Sequence, residues 1–173
     1  MNIQGNSITL SKFQKKDIND QYLCWLNDKE VVKYSNQRFI EHNYLNAQKY
    51  LESFSQTNNL FLSIRLSSNQ QIIGTMTVYF TFHNTADIGI MIGDKSLWGK
   101  GYGKDAWVTM ISWLENELKI RKITAGTIES NKGMLKLLKE SKMSLEATRK
   151  NHEIIDNHPE DVLYFCKFNN INK

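Results

Sequence analysis

The segment that most restricts how this 173-residue chain can fold runs from an alternating strand, through a glycine-rich loop, into a long amphipathic helix. The strand is ADIGIMIG (86–93), the loop is GKGYGK (99–104), and apolar residues then recur three and four positions apart as far as Leu118. Glycines let backbone amides point into one concavity, and a helix N-terminus carries partial positive charge, so this order predicts a cradle for phosphate or pyrophosphate. The loop matches neither GxxxxGK(S/T) nor GxGxxG with an acidic residue after the next strand, and on spacing alone a tight turn that needs glycine is an equal alternative.

Hydrophobic periodicity divides the rest of the chain into short strands and helices. Helices are predicted from Asp17, as N-cap, to about residues 27–28, and over 44–51 and 131–142, in addition to the long helix. Strands are predicted at 7–13, 60–66, 72–82, 86–93, 122–128, 145–155 and 161–168, with a turn over 156–159 between the last two. Hairpins mix with crossover helices and no linker interrupts them, so we expect one α/β domain over residues 1–173, with a mixed sheet and helices on its faces.

The composition excludes several classes of protein. Hydrophobic residues make up 40% and aromatic residues 11% of the chain, which is enough to fill one core and argues against disorder. No stretch approaches the ~18 apolar residues of a membrane span, and the N-terminal MNIQGNSITL lacks the pattern of a secretory signal. The chain carries 22 Lys and Arg against 18 Asp and Glu, dispersed without a basic stripe. We therefore expect neither a membrane nor a nucleic acid as partner, whereas a phosphate-bearing small ligand would suit the modest positive charge.

Two cysteines, Cys24 and Cys166, lie far apart without CxxC or histidine-pair spacing. This spacing excludes a disulfide framework and predicts no metal site, and it fits a reducing, cytoplasmic setting. Neither cysteine has a His/Asp constellation beside it in the sequence, so both are predicted to be buried packing residues rather than nucleophiles.

The glycine loop carries a resemblance to a known family. The GCN5-related N-acetyltransferase (GNAT) superfamily has the signature Q/R-x-x-G-x-G/A after its fourth strand, and the chain has WGKGYG at 98–103. Trp98 departs from Q/R, but the WGKGYG form resembles the branch that contains ribosomal-protein N-terminal and amino-sugar acetyltransferases. Further matches are YLCWLNDKEV, IIGTMTV, ADIGIMIG and NKGMLKLLKESKM, so the resemblance covers nearly the whole chain.

The resemblance implies a fold and a cofactor. The fold would be a mixed, mostly antiparallel seven-stranded sheet, splayed between its fourth and fifth strands, with about four helices. Acetyl-CoA would be the cosubstrate, and its pantetheine arm would pair with the exposed edge of the fourth strand as an added strand. The residues that the resemblance assigns to the cofactor are Met91, Ile92, Gly93, Trp98, Gly99, Lys100, Gly101, Tyr102, Gly103, Lys104 and Asn131.

Three residues are candidates for the general base that acetyl transfer requires. An alkylammonium has a pKa near ~10, so a base, often acting through water, must remove its proton before the nitrogen can attack. Asp87 occupies the fourth-strand position where relatives commonly have a carboxylate, and its alternative role is a structural or ammonium-binding one. His83 is the second candidate because imidazole titrates near ~6.5, and Glu129, at the end of the fifth strand, is the third. The oxyanion donor is expected to be a backbone N–H around Ile92.

The general acid of many relatives is missing from this sequence. A tyrosine commonly lies seven residues after the equivalent of Asn131, and here that position is Leu138. A leaving thiolate is stable enough for acid assistance to be optional, so water, another residue or positioning alone could suffice. No general acid is assigned.

The acceptor is predicted to be a primary amine on a small molecule. The segment YSNQRF (34–39) and His42 lie where relatives build the acceptor site, and the branch they resemble suggests a nucleotide-linked amino sugar. Arg38 could then pair with a phosphate, and otherwise it is an ordinary loop arginine. Transfer to a protein N-terminal α-amine is the alternative, followed by a non-catalytic acyl-CoA-binding module and, last, a nucleotide-binding domain unrelated to CoA. A homodimer is left open.

Overall fold

The computed structural model describes residues 1–169 as one eight-stranded sheet with four helices. The strands are β1 (Asn2–Gln4), β2 (Ile8–Lys12), β3 (Leu60–Leu66), β4 (Ile72–Thr81), β5 (Thr85–Ile92), β6 (Lys122–Ile128), β7 (Ser144–Ile155) and β8 (His158–Phe168). The helices are α1 (Asp20–Asn27), α2 (Tyr44–Ser53), α3 (Tyr102–Asn116) and α4 (Lys132–Glu140).

The sheet has the order β1-β2-β3-β4-β5-β6-β8-β7. Its pairs are antiparallel except β5 with β6, which run parallel over three residue pairs and then part. This confirms the mixed, mostly antiparallel sheet and the splay between the fourth and fifth predicted strands, which are β5 and β6. The predicted count of seven strands was wrong by one, because β1 is only three residues long and shows no alternation that sequence could reveal.

Each face of the sheet carries its own apolar core, and the alternation along β5 shows how they divide. Ile88 and Ile90 join the core under α3, which includes the fully buried Trp107. Met91 joins a second core with Trp25 of α1. Asp87 and Gly89 have the same parity as Met91, so they lie on the α1 and α2 face, which we call the acceptor face.

The first helix begins later than predicted, and Asp17 is not its N-cap. Asn19 caps α1 by accepting a hydrogen bond from the N–H of Tyr22 at 2.9 Å. Asp17 instead ends a short 3-10 turn, where it is 4% exposed and pairs with Arg65 at 2.8 Å. A buried carboxylate needs such a partner, and Arg65 lies 48 residues away in sequence, so the local pattern could not distinguish the two roles.

Two smaller predictions also change. The β7–β8 turn is confined to Asp156 and Asn157, whose φ angles of 49° and 66° are left-handed, and Pro159 lies within β8. Cys166 is buried as predicted, but Cys24 is exposed on α1, so its predicted burial was wrong. No helix within residues 1–169 has the length and apolar character that a membrane crossing requires. That part of the chain also shows no group of three or more His, Cys, Asp or Glu side chains placed to hold a metal ion.

Candidate active site

The gap between β5 and β6 is the central feature of the candidate site. The two strands pair at Thr85, Ala86 and Asp87 of β5, and β6 then continues only with β8. At the last paired position, the Thr124 hydroxyl donates to Asp87 Oδ2 at 2.7 Å. Asp87 therefore lies at the point where the sheet opens, with its carboxylate held across the two strands.

The backbone of β5 offers unpaired polar groups to this gap. Gly93 donates its N–H to the Ile73 carbonyl at 2.9 Å, so every second residue of β5 directs its backbone groups to β4. Ile90 and Ile92 lie between those positions, and their backbone groups point to the side that β6 has left. Trp98 caps one of them, because its indole Nε1 donates to the Ile92 carbonyl at 2.8 Å.

This register refines the residues expected along the pantetheine arm. Ile92 keeps an N–H toward the gap, whereas the backbone N–H of Gly93 is already used in the sheet. Ile90 was missed by the sequence analysis, although strand alternation counted from a hydrogen-bonded pair would have indicated it. Met91 contributes its side chain to the acceptor-face core.

The glycine loop presents a row of free backbone donors. Gly99 and Gly101 have φ angles of 73° and 91°, and an added Cβ would meet nothing within 4 Å, so their glycines are required by conformation rather than by space. Asp105 makes the first helical hydrogen bond of α3, to the Gly101 carbonyl at 2.9 Å. The preceding N–H groups bond to no other group within residues 1–169: those of Gly101, Tyr102, Gly103 and Lys104. Four such donors at a helix N-terminus suit a phosphate or pyrophosphate.

Two other glycines lie at contacts around the gap, and close packing requires one of them, Gly93, to be glycine. A Cβ on Gly93 would lie 2.1 Å from Cδ2 of Trp25, so α1 can approach the end of β5 only because this residue is glycine. A Cβ on Gly103 would lie 3.4 Å from Cγ1 of Ile92, an ordinary contact. The start of α3 is therefore seated directly beside the last residue of β5.

Two side chains assigned to the cofactor are engaged elsewhere. Lys104 pairs with Glu140 of α4 at 2.9 Å, so its ammonium points to α4 and only its backbone N–H joins the cradle. Asn131 caps α4, with Oδ1 accepting from the Met134 N–H at 3.1 Å. The Asn131 side-chain nitrogen has no partner within residues 1–169 and can still donate to a ligand.

Asp87 has the electrostatic character of a proton acceptor. The residue is open to solvent, yet partial desolvation by the surrounding strands raises the pKa of its carboxyl, and the hydrogen bond from Thr124 opposes that rise. A carboxylate whose pKa is raised is a stronger base than an ordinary aspartate.

The other two base candidates do not gather around Asp87. His83 lies in the exposed β4–β5 turn, and only its backbone groups make hydrogen bonds, one of them from Arg121 at 2.9 Å. Asn84 of the same turn, with a left-handed φ of 55°, and the first two residues of β5 separate His83 from Asp87 along the chain. Glu129 follows β6, and its N–H bonds to Asp161 at 3.0 Å. Glu129 lies beyond the end of β6, five residues from Thr124, the residue that pairs with Asp87.

A lid segment, residues 28–43, crosses from α1 to the β7–β8 hairpin. Arg38 donates to Glu153 of β7 at 2.8 Å and to the Ser35 carbonyl at 2.8 Å, and it is only 14% exposed. The guanidinium predicted to meet a phosphate is thus already paired within the protein. His42 contacts the lid itself, since its Nε2 lies 3.2 Å from the Gln37 carbonyl oxygen.

Further contacts hold the first part of the lid segment. Lys95, just after β5, pairs with Asp28 at 2.8 Å and Glu30 at 2.9 Å. Farther along the segment, Lys33 pairs with Asp156 in the β7–β8 turn at 2.8 Å. Tyr34 packs against an apolar cluster formed by Ile128, Ile155 and Val162. The lid segment therefore roofs the acceptor face beside the gap.

Leu138 replaces the tyrosine of relatives with a core residue. It is fully buried in the α3 core and belongs to α4. A hydroxyl at this position would have to enter an apolar core, so the position supplies packing here and not a proton.

A family model described as "Acetyltransferase (GNAT) domain" matches residues 7–144, most of the chain. The chain belongs to the GNAT acetyltransferase family. It is an acetyl-CoA-dependent N-acetyltransferase with acetyl-CoA as cosubstrate. A search of curated proteins gives no match.

Solved structures of GNAT enzymes share the whole fold. A GNAT-family acetyltransferase from Bacillus anthracis superposes with a TM-score of 0.81 at 19% identity, covering 98% of this chain and 99% of that one. Ribosomal-protein-S5-alanine acetyltransferase from Vibrio fischeri gives 0.79 at 18% identity, covering 100% and 99%. Spermidine N-acetyltransferase from Vibrio cholerae, in complex with CoA and spermine, gives 0.82 at 16% identity, covering 94% and 96%. At these identities the similarity shows the fold, and the two acceptors that these names give, a ribosomal-protein alanine and spermidine, differ.

Proposed function

We propose that this GNAT enzyme acetylates a primary amine of a small molecule, with Asp87 as general base. The observation that carries the proposal is the position of Asp87 at the opening between β5 and β6, on the face covered by the lid segment. Acetyl-CoA supplies the thioester acetyl group. The N–H groups of Gly101 to Lys104 hold its pyrophosphate, and the free edge of β5 at Ile90 and Ile92 holds its amide arm.

Asp87 acts on the acceptor ammonium, directly or through one water. Because the pKa of its carboxyl is raised, Asp87 accepts the proton of the amine more readily than an ordinary aspartate would. The Thr124 hydroxyl bonds to Oδ2 and so leaves Oδ1 free for the acceptor. The N–H of Ile90 or Ile92 faces the negative charge that develops on the acetyl oxygen. The departing thiolate needs no protein acid, which agrees with the core position of Leu138.

The lid segment favours a compact acceptor over an extended peptide. Its ion pairs to Glu153 and Asp156 join α1 to the β7–β8 hairpin, and Tyr34 fills the space between them. An extended chain would need an open groove along this path. A nucleotide-linked amino sugar remains our preferred acceptor, although Arg38 would have to leave Glu153 to meet its phosphate. Transfer to a protein N-terminal amine is the alternative, and the setting is predicted to be cytoplasmic.

The test is thiol release from acetyl-CoA, followed with a chromogenic thiol reagent, over a panel of acceptors. The panel contains nucleotide-linked amino sugars, spermidine, and short peptides with N-terminal Ala or Ser. We expect release with a compact sugar amine and loss of that release in Asp87→Asn, while acetyl-CoA binding is retained.

Two outcomes would contradict the proposal. Thiol release with peptides alone would show that the enzyme acetylates N-terminal α-amines, and it would require the lid segment to open. Unchanged turnover in Asp87→Asn would remove Asp87 as the base and leave His83, Glu129 or water.

A further inference from the structure

One basic side chain near the acceptor face lacks an acidic partner. Arg149 of β7 forms no ion pair within residues 1–169, although several basic residues around it do. The paired residues around the β7–β8 hairpin and the lid segment are Lys33 with Asp156, Arg38 with Glu153, Lys122 with Glu146, and Lys150 with Asp161. Arg149 is exposed and therefore has its guanidinium available to a ligand.

An aromatic ring holds Arg149 in place. Its guanidinium carbon lies 5.0 Å from the ring centroid of Tyr164 on β8. That ring in turn covers Gly126 of β6, where an added Cβ would lie 3.4 Å from Tyr164 Cε1. The Tyr164 hydroxyl makes no hydrogen bond within residues 1–169. Gly126, Tyr164 and Arg149 thus form a stack that ends in a free cation and a free hydroxyl.

The stack shares the face of Asp87. Tyr164 pairs with Gly126, which is two residues along β6 from Thr124, so all three lie on the acceptor face. With about 3.3 Å per residue and about 4.8 Å between strands, the Tyr164 Cα lies roughly 8 Å from the Thr124 Cα and roughly 12 Å from the Asp87 Cα, which is one strand farther away. The guanidinium lies beyond the Tyr164 ring, so it is on the order of 15 Å from the Asp87 carboxylate. A hydrogen bond of about 3 Å at each end leaves about 10 Å for the acceptor itself.

We propose that Arg149 and Tyr164 bind an anionic group of the acceptor, so that the enzyme selects amines that carry a phosphate or a carboxylate about 10 Å from the nitrogen. A guanidinium donates two parallel hydrogen bonds to either anion, and the phenol adds a third donor. A polyamine places a second cation at this position and is disfavoured. The inference rests on the proposed function, whose acceptor class it makes narrower.

The test uses three acceptors of equal length: 6-aminohexyl phosphate, 6-aminohexanoate and 6-amino-1-hexanol. Their binding to the CoA-bound enzyme is measured by calorimetry, and their acetylation by thiol release. We expect the wild type to prefer at least one anionic probe over the alcohol by about 10- to 100-fold, in affinity and in kcat/KM. Comparison of phosphate with carboxylate identifies the anion.

Variants locate the preference. In Arg149→Gln, the ratio of affinities for the anionic and neutral probes should fall to about one, and in Arg149→Lys the preference for the anionic probe should be partly retained. Tyr164→Phe keeps the ring and should lose only the contribution of the hydroxyl. Lys12→Gln, which removes one positive charge from β2, is the matched control and should leave the ratio intact.

The outcomes separate this inference from the proposed function. Equal binding of all three probes to the wild type, or an unchanged ratio in Arg149→Gln, overturns the anion site even if acetylation proceeds. Selective binding that Arg149→Gln abolishes supports the site even if no probe is acetylated, a result that would count against the proposed function alone.

Discussion

The two sides of the gap between β5 and β6 use different chemical groups: backbone on one side and side chains on the other. On the cofactor side, β5 and residues 99–104 offer backbone N–H groups, and glycine provides the conformation that exposes them. On the acceptor side, the lid segment and the β7–β8 hairpin are joined by side chains far apart in sequence, such as Arg38 and Glu153, which are 115 residues apart. A cofactor that does not change can be bound by backbone, whereas an acceptor that differs among relatives is bound by side chains that can be exchanged.

The largest effect is expected from a substitution that tests whether backbone N–H groups of the glycine loop bind the cofactor. Gly101→Val places a β-branched residue at a φ of 91° and disturbs the first donors of α3. We expect acetyl-CoA affinity to fall by at least about 100-fold, because the substitution strains the backbone of the loop and removes charge-assisted hydrogen bonds to the pyrophosphate. Calorimetry with acetyl-CoA measures this.

Gly133→Ala is the control for that substitution. Gly133 lies in α4 with no left-handed φ, and an added Cβ would meet only Asn131 Oδ1 at 3.8 Å. This variant should fold with equal or greater thermal stability. Acetyl-CoA binding by Gly101→Val at the wild-type affinity would show that the loop is only a tight turn.

Asp87→Asn gives the second-largest effect, and it acts on chemistry rather than on cofactor binding. An amide has nearly the same shape but cannot accept the acceptor proton, so kcat should fall by about 100- to 1,000-fold. The affinity for acetyl-CoA should stay within about twofold, because the cradle lies at the other end of the gap. Burst and steady-state kinetics with calorimetry check both numbers, and parallel losses in kcat and affinity would indicate structural damage instead.

The same contrast explains what could be predicted from the sequence. The glycine loop and the long helix were predicted because their signals are local: periodicity, glycines at a turn and one motif. The splay of the sheet was predicted only through the family resemblance that this motif carries. Three interactions could not be predicted, because each joins side chains from distant segments of the chain. They are the pair of Arg38 with Glu153, the pair of Asp17 with Arg65, and the stack of Arg149 on Tyr164. Ile90 is intermediate, because the strand was predicted and only its hydrogen-bonding register was missing.

The pH dependence of kcat/KM tests the role of Asp87 further, and the expected effect is smaller. Thr124→Val removes the hydrogen bond that lowers the Asp87 pKa and leaves the desolvation that raises it. The pKa of Asp87 should therefore rise, and the acid limb of kcat/KM, where activity is lost as Asp87 becomes protonated, should move to higher pH. A Thr124→Ser variant, which keeps the hydroxyl, should retain the wild-type limb. A limb that moves to lower pH, or that moves equally in both variants, would contradict the assignment.

The smallest effect concerns the attachment of the lid segment. Arg38 and Glu153 are 14% and 24% exposed, so solvent screens their pair only in part. A double-mutant cycle of Arg38→Gln and Glu153→Gln should give a coupling of about 1 kcal/mol in the free energy of unfolding, with a few-fold rise in acceptor KM in either single variant. The Lys33–Asp156 pair is the comparison, since its side chains are 38% and 73% exposed and its coupling should be near zero. If the two pairs coupled equally, partial burial would not explain how the lid is held. If KM did not change, the lid segment would not shape the acceptor site, and the acceptor side would depend on the β7–β8 hairpin alone.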